Sequence, residues 1–182
     1  RICGEGINQT QLTGGELWVG NNGDGAPFCL EGVTLTNPNG TGLFIEGYNN
    51  PCSVRLTSCA ISDCKYNGVF VAHAGASLEL VECLVLRNGH HGVHAYDGAQ
   101  VRISGASSRI HSNRACGLSS VSRSSIKVSG LGTKPAFTRR DQYGNHIFSG
   151  ATTSALFSET EAHPNKWGNV REHADGSVVF LP

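Results

Sequence analysis

Histidine is the side chain most often used for proton transfer and metal binding near neutral pH, and several of the eight histidines lie close together. His90, His91 and His94 share one short segment, while His73 and His111 lie further along the chain on either side. A zinc site needs three or four ligands that converge on one point. His91 and His94 flank the start of one strand, whereas His111 falls on another face. We therefore predict solvated imidazoles in a polar turn, no metal site and no cofactor.

Paired carboxylates would indicate general acid–base chemistry on a sugar substrate. The aspartates lie at positions 24, 63, 97, 141 and 175, and no two of them occupy equivalent places in neighbouring copies of the repeat described below. Asp97, beside Tyr96 and His94, forms the strongest local acid–base cluster, although a turn at Asp97-Gly98 is the simpler interpretation. We therefore predict no catalytic residue and leave the enzyme question open, with the balance against catalysis.

The elements that must position these side chains come from an internal repeat. Glycines recur at positions 42, 68, 92, 117, 144 and 168, at intervals of 24 to 27 residues. The first four begin an alternating segment: Gly42-Leu43-Phe44-Ile45, Gly68-Val69-Phe70-Val71, Gly92-Val93-His94-Ala95 and Gly117-Leu118-Ser119-Ser120. Alternation with period two, Gly-containing turns and the lack of a helical stripe predict about three short strands in each repeat.

These repeats predict an all-β chain folded as a single-stranded parallel β-helix, a solenoid of about seven coils. We expect one domain over residues 1–182, with 1–14 as an N-terminal cap, 15–176 as the coils and 177–182 as the C-terminal end. Strands are expected within 42–48, 68–73, 92–97 and 117–122, each paired in parallel and in register with the next.

The same alternation assigns the interior of the solenoid. Five apolar residues at equivalent places are expected to form one buried stack: Leu35, Ile61, Val85, Ile110 and Phe137. Cys59 and Cys83 are expected to stack inward as small apolar side chains rather than as a disulfide. Asn88 and Asn113 are expected to form a structural ladder of amides in a turn.

The recurring glycines are called anchors below, and the strands that begin at them are called anchor strands. The outward side of the anchor strands carries the candidate binding residues. One outward row is expected to contain Trp18, Phe44, Phe70, His94, Ser119 and His146. A second row is expected to contain Glu46, Ala72, Tyr96, Val121 and Phe148. An exposed apolar row marks an interaction surface unless the chain itself covers it. We therefore predict that a partner binds Trp18, Phe44, Phe70, His94 and Tyr96, through a protein contact or through stacked sugar rings, and keep cover by another segment as the alternative.

Composition excludes several classes of protein. Lys and Arg together number 14 and so do Asp and Glu, which gives no electrostatic attraction towards nucleic acid. No apolar run reaches the roughly 18 residues of a membrane span. The seven cysteines are odd in number and include no Cys-x-x-Cys pair, so we expect mostly free thiols. Nothing in the sequence assigns a compartment.

Three segments carry a family resemblance: Gly68-Val69-Phe70-Val71, Gly75-Ala76-Ser77-Leu78-Glu79-Leu80 and the Asn-x-x-x-Gly spacing that starts at Asn88. Over about residues 15–182 the chain resembles the right-handed parallel β-helix repeats of the pectate-lyase-like superfamily. The resemblance implies a right-handed coil. The superfamily includes polysaccharide lyases, hydrolases and epimerases, but their catalytic motifs of clustered Asp, Gly-His-Gly or Asp-Pro-His do not occur here.

The sequence therefore predicts a non-catalytic β-helical binding or scaffold module that presents an outward face to a protein or glycan partner. The alternative is a carbohydrate-active enzyme of the lyase, hydrolase or epimerase type.

Overall fold

A computed structural model describes residues 1–20, 26–48, 50–129, 136–140, 146–149, 170–173 and 175–181. The described residues form three β-sheets. Sheet 1 consists of β1 (Ile2–Cys3), β4 (Phe28–Glu31), β7 (Cys52–Thr57), β10 (Ala76–Val81), β13 (Gln100–Ser104), β16 (Ser125–Val128) and β20 (Ser177–Phe180). Sheet 2 consists of β2 (Gln11–Thr13), β5 (Thr34–Thr36), β8 (Ala60–Ser62), β11 (Leu84–Leu86) and β14 (Arg109–His111). Sheet 3 consists of β3 (Leu17–Gly20), β6 (Leu43–Glu46), β9 (Val69–Ala72), β12 (Val93–Tyr96), β15 (Leu118–Val121), β17 (Ala136–Arg140), β18 (His146–Ser149) and β19 (Val170–His173).

The chain visits sheets 1, 2 and 3 once in every turn, so that each strand lies beside the equivalent strand of the next turn. In sheet 3, Val69 lies opposite Val93, and Val93 lies opposite Leu118, in parallel register. Strands therefore form within all four predicted segments, and the predicted parallel pairing is confirmed. The result is an all-β parallel solenoid with its core between the three sheets.

The number of coils was predicted too high. Five complete turns, from β1–β3 to β13–β15, lie in the described part of the chain, against about seven expected. Beyond them, β17 pairs antiparallel with β18, and β18 pairs antiparallel with β19 at His146 and Val170. A hairpin therefore occupies sequence that was counted as coil. The predicted anchors Gly144 and Gly168 lie outside the described residues.

A sharp corner between sheets 1 and 2 lets the backbone turn with very few residues. Ser58 and Glu82 follow β7 and β10, and both adopt positive φ, at 49° and 54°. Gly32 holds the equivalent place one turn earlier, with φ at 63°. Glycine reaches this left-handed region without strain, whereas other residues do so only where the surrounding structure requires it. The hydrogen bonds of sheets 1 and 2 on either side of the corner hold Ser58 and Glu82 in this conformation.

The interior matches the predicted stack, except at its last member. Leu35, Ile61, Val85 and Ile110 are all buried and follow one another across sheet 2. Cys59 and Cys83 are buried as expected. Placing Phe137 in this stack was wrong, because its strand β17 belongs to sheet 3 and pairs there with β18.

The predicted asparagine ladder is confirmed by its hydrogen bonds. The Asn88 amide Nδ2 donates to Asn113 Oδ1 at 2.9 Å, and the Asn88 backbone N–H donates to the same oxygen at 3.2 Å. Asn88 Oδ1 in turn accepts from the Cys64 N–H at 3.2 Å. Buried backbone donors at this turn thereby gain partners, which is the stabilising role expected of such a ladder.

Replacing Ile61 by Ala tests the stacking. Ile61 is fully buried between Leu35 and Val85, so the change leaves a cavity and lowers the free energy of unfolding by about 2–5 kcal/mol. The matched control is Val81→Ala, since Val81 is half-buried on the outward side of sheet 1 and loses less than about 1 kcal/mol. Denaturant unfolding of both variants gives the comparison. Equal losses for the two variants would contradict the assigned interior.

Candidate functional site

The predicted outward row forms an aromatic ladder along sheet 3. Trp18, Phe44, Phe70 and His94 lie opposite one another in successive strands. The rings of Phe44 and Phe70 are stacked, with centroids 5.2 Å apart and planes at 9°. The ring of His94 follows 5.1 Å from that of Phe70. These four residues, together with Tyr96, are called the aromatic ladder below.

The stacking decides which parts of the rings meet solvent. Phe70 lies between the stacked ring of Phe44 and the ring of His94, which is tilted by 33°, so a neighbouring ring lies on either side of it. Phe44, Phe70 and His94 are accordingly half-buried. A ring with a neighbouring ring on either side has little free face on which a pyranose could lie. The middle of the ladder is thus an apolar ridge.

Two ladder residues are more open than the rest. Trp18, on the first strand of sheet 3, is 57% exposed, and Tyr96 is 40% exposed. The Trp18 indole leans over Gly20, where a Cβ would lie 2.8 Å from its Cζ2 atom. Tyr96 lies 6.4 Å from His94 and 6.5 Å from Phe70, between ring centroids. The ridge therefore has accessible aromatic surface at its start and along one flank.

The ladder ends after His94. Ser119 lies next in register, and it is fully buried with no hydrogen-bond partner for Oγ among the described residues. The following position belongs to Arg171 and not to the predicted His146, which lies opposite Val170 in an antiparallel pair. The second row continues as predicted from Glu46 to Val121, with Ala72 buried. Its predicted last member, Phe148, was wrongly placed, because β18 runs antiparallel.

The histidine cluster stacks its rings. The rings of His91 and His94 lie 5.1 Å apart with planes at 14°, and those of His90 and His91 lie 4.1 Å apart. The His91 Nδ1 accepts the Cys116 backbone N–H at 3.1 Å, and the Nδ1 of His90 lies 3.1 Å from Asn67 Oδ1. His91 is buried rather than solvated as predicted. No group of three or more metal-binding side chains converges in the part of the chain that the structure describes.

Asp97 has different partners from those considered in the sequence. His73, one turn earlier, donates from Nδ1 to Asp97 Oδ2 at 3.0 Å, and Arg123, one turn later, reaches Oδ1 at 3.4 Å. These contacts, led by the His73 hydrogen bond, lower the pKa of the Asp97 carboxyl. Asp97 and Gly98 both have positive φ, in agreement with a turn. Asp97 lies at the corner between sheets 3 and 1, and its contacts with His73 and Arg123 link three successive turns beside Tyr96. These contacts are called the corner clamp below.

Two exposed tyrosines next to sheet 3 were missed. Tyr48 is 71% exposed and lies just beyond β6, with its ring edge-on to His73 at 5.0 Å. Tyr66 is 52% exposed, just before β9, with the Lys65 ammonium 5.4 Å from its ring centre. Both lie in turns outside the alternating pattern. The signal in the sequence that would have identified them is an aromatic residue within an otherwise polar turn.

Sheet 1 carries a separate groove of about 480 Å³ on its outward face. Arg55, Glu79, Arg102 and Lys127 follow one another across it in register. Glu79 is the single carboxylate among the groove residues, and it forms an ion pair with Arg55 at 3.3 Å. The groove is therefore polar and net positive.

Fold and ladder together define the class of protein as a parallel β-solenoid with an aromatic outer face. A family model for the right-handed β-helix region matches residues 13–156, and the chain belongs to that family. No curated protein and no solved structure matched the chain in the corresponding searches. The described residues include no helix with the length and apolar character of a membrane span.

Acid titration tests the corner clamp. Because the folded state lowers the pKa of Asp97, the clamp stabilises the fold above the ordinary Asp range and loses that effect as pH falls through the lowered value. We expect the melting temperature to fall less steeply between about pH 5 and pH 2 in Asp97→Asn than in the unsubstituted protein. Glu16→Gln, an exposed carboxyl with no ion pair in the described part of the chain, serves as the control. If the melting temperatures of Asp97→Asn and the unsubstituted protein fall equally steeply with pH, the stabilising role of the corner clamp is refuted.

Proposed function

We propose that this chain is a non-catalytic binding module that takes a protein partner on the aromatic ladder. The observation that carries the proposal is the continuous ridge of Phe44, Phe70 and His94, with exposed Trp18 at one end and exposed Tyr96 beside it. Tyr48 and Tyr66 lie next to the same sheet. Tyr and Trp are enriched at protein interfaces and supply most of the binding energy where they are buried centrally.

Ring orientation favours a protein partner over a glycan. A sugar stacks on a free aromatic face, whereas Phe70 has a neighbouring ring on either side. Protein side chains pack against ring edges as readily as against faces. Each Å² of apolar ridge that a partner removes from water contributes roughly 25 cal/mol. Apolar edges flanked by tyrosine hydroxyls suit a partner surface with an apolar centre and a polar rim.

The carbohydrate-active alternative has less support from the described residues. Hydrolysis of a glycosidic bond uses two carboxyl groups on opposite sides of that bond. The groove on sheet 1 offers Glu79 alone, already paired with Arg55. The His73–Asp97 pair lies at a corner outside that groove and is engaged by Arg123. Neither arrangement favours catalysis over binding.

Site-resolved cross-linking tests the proposal. A photoreactive phenylalanine analogue is introduced in place of Tyr48 or Tyr96 beside the ladder, and in place of Lys127 on sheet 1 as the matched control. Each protein is irradiated in an extract of its source cells, and cross-linked partners are identified by mass spectrometry. We expect one protein to be captured from positions 48 and 96 but not from position 127.

The variant Trp18→Ala separates binding from folding. Since Trp18 is largely exposed, its removal changes the free energy of unfolding by less than about 1 kcal/mol. We expect the capture at positions 48 and 96 to fall sharply while the melting temperature is maintained. Equal capture at all three positions would overturn the proposal. A Trp18-dependent signal on a glycan array, without protein capture, would assign the ladder to a glycan instead.

A further inference from the structure

Two cysteines occupy the same corner of consecutive turns. Cys59 follows Ser58 at the corner between β7 and β8, and Cys83 follows Glu82 at the corner between β10 and β11. Thr57 pairs with Val81 before the corner, and Ala60 pairs with Leu84 after it, so Cys59 lies directly opposite Cys83. Adjacent strands lie about 4.8 Å apart, which is within the Cα separations that disulfides span.

The two cysteines lie inside the core at facing positions of successive turns. Both side chains are buried. Cys83 Sγ also lies 3.3 Å from the Val81 carbonyl oxygen, and Cys59 Sγ lies 3.3 Å from that of Thr57. The interaction between the two thiols lowers the pKa of Cys59 and raises that of Cys83, and burial also raises that of Cys83. One thiol of the pair is therefore more readily ionised than an ordinary cysteine.

The other buried cysteines lack this arrangement. Cys52 is equally buried but lies opposite Ala76, and Cys64 lies beside Asn88. All seven cysteines of the chain are free thiols in the structure. Cys52 therefore provides an internal control with the same burial and no thiol on the strand opposite.

We propose that Cys59 and Cys83 form an oxidation site that a small hydroperoxide closes into a disulfide between consecutive turns. One thiolate of the pair attacks a peroxide oxygen, the O–O bond breaks, and the hydroxide released takes up the proton lost by that thiol. The second thiol then attacks the resulting sulfenic sulfur, the S–O bond breaks, and water leaves with the proton of the second thiol. For hydrogen peroxide, two thiols give up two electrons and two water molecules form.

The disulfide would tie together the two turns in the middle of the ladder. Cys59 belongs to the turn that carries Phe70, and Cys83 belongs to the turn that carries His94. A cross-link closes a loop of about 25 residues and stabilises the fold mainly by restricting the unfolded chain. Full burial limits the oxidant to small molecules and makes the reaction depend on local opening of the corner.

Hydrogen peroxide on the folded, unsubstituted protein is the test. After treatment, free thiols are alkylated under denaturing conditions and the unreduced protein is digested with trypsin. We expect peptide 56–65 joined to peptide 66–87, lighter than their sum by two hydrogens and separated by dithiothreitol. Fragmentation assigns the bond to Cys59 rather than Cys64, and Cys52 remains alkylated. The melting temperature rises by roughly 5–10 °C and returns on reduction.

Three outcomes would overturn the proposal. The first is the absence of the 56–65/66–87 cross-link while the exposed Cys3 becomes oxidised. The second is a cross-link that fragmentation assigns to Cys64. The third is a cross-link that forms equally fast in urea, which would assign it to the unfolded chain. Because the test uses the unsubstituted protein, it does not depend on whether Cys59→Ser or Cys83→Ser folds, nor on the ladder's partner.

Discussion

Parallel hydrogen bonding between successive turns, in register, is the interaction on which the rest of the structure depends. The Val69 N–H donates to the Gly92 carbonyl, and the Val93 N–H donates to the Gly117 carbonyl, both at 2.9 Å. Each turn thus fixes the next at one strand spacing, about 4.8 Å. A change of register by one residue would exchange the inward and outward faces of a strand. The core and the outer surface are therefore determined by the same bonds.

Stacking of equivalent residues follows from this register on both sides of each sheet. Inside, it builds the aliphatic stack around Ile61 and the facing pair Cys59 and Cys83. Outside, it builds the aromatic ladder on sheet 3 and the charged row that includes Arg55 and Glu79 on sheet 1. A solenoid places like side chains at one spacing along its axis, so the ladder that we propose for binding and the core that supports it have a common origin.

Regular spacing made the strands predictable, and its limits explain the errors. From Gly42 to Gly117 the intervals reflect true pairing, so alternation identified both the buried residues and the ladder. Spacing alone does not distinguish a coil from a hairpin of similar length, so Phe137 and Phe148 were misplaced. An anchor at Gly168 would place Asn169 opposite Leu118, because Leu118 directly follows the anchor Gly117. The structure places Val170 there instead, one residue later. The partners of Asp97 lie in other turns, where local sequence carries no pairing signal.

Nuclear Overhauser effects between ladder rings test the central claim of register most directly. With selectively labelled Phe and His, the account predicts ring contacts from Phe44 to Phe70 and from Phe70 to His94. It also predicts backbone contacts that link Val69 with Val93, 24 residues later. Contacts between residues 69–72 and 76–81 in the order of an antiparallel hairpin, without the ring contacts, would contradict the solenoid and everything built on it.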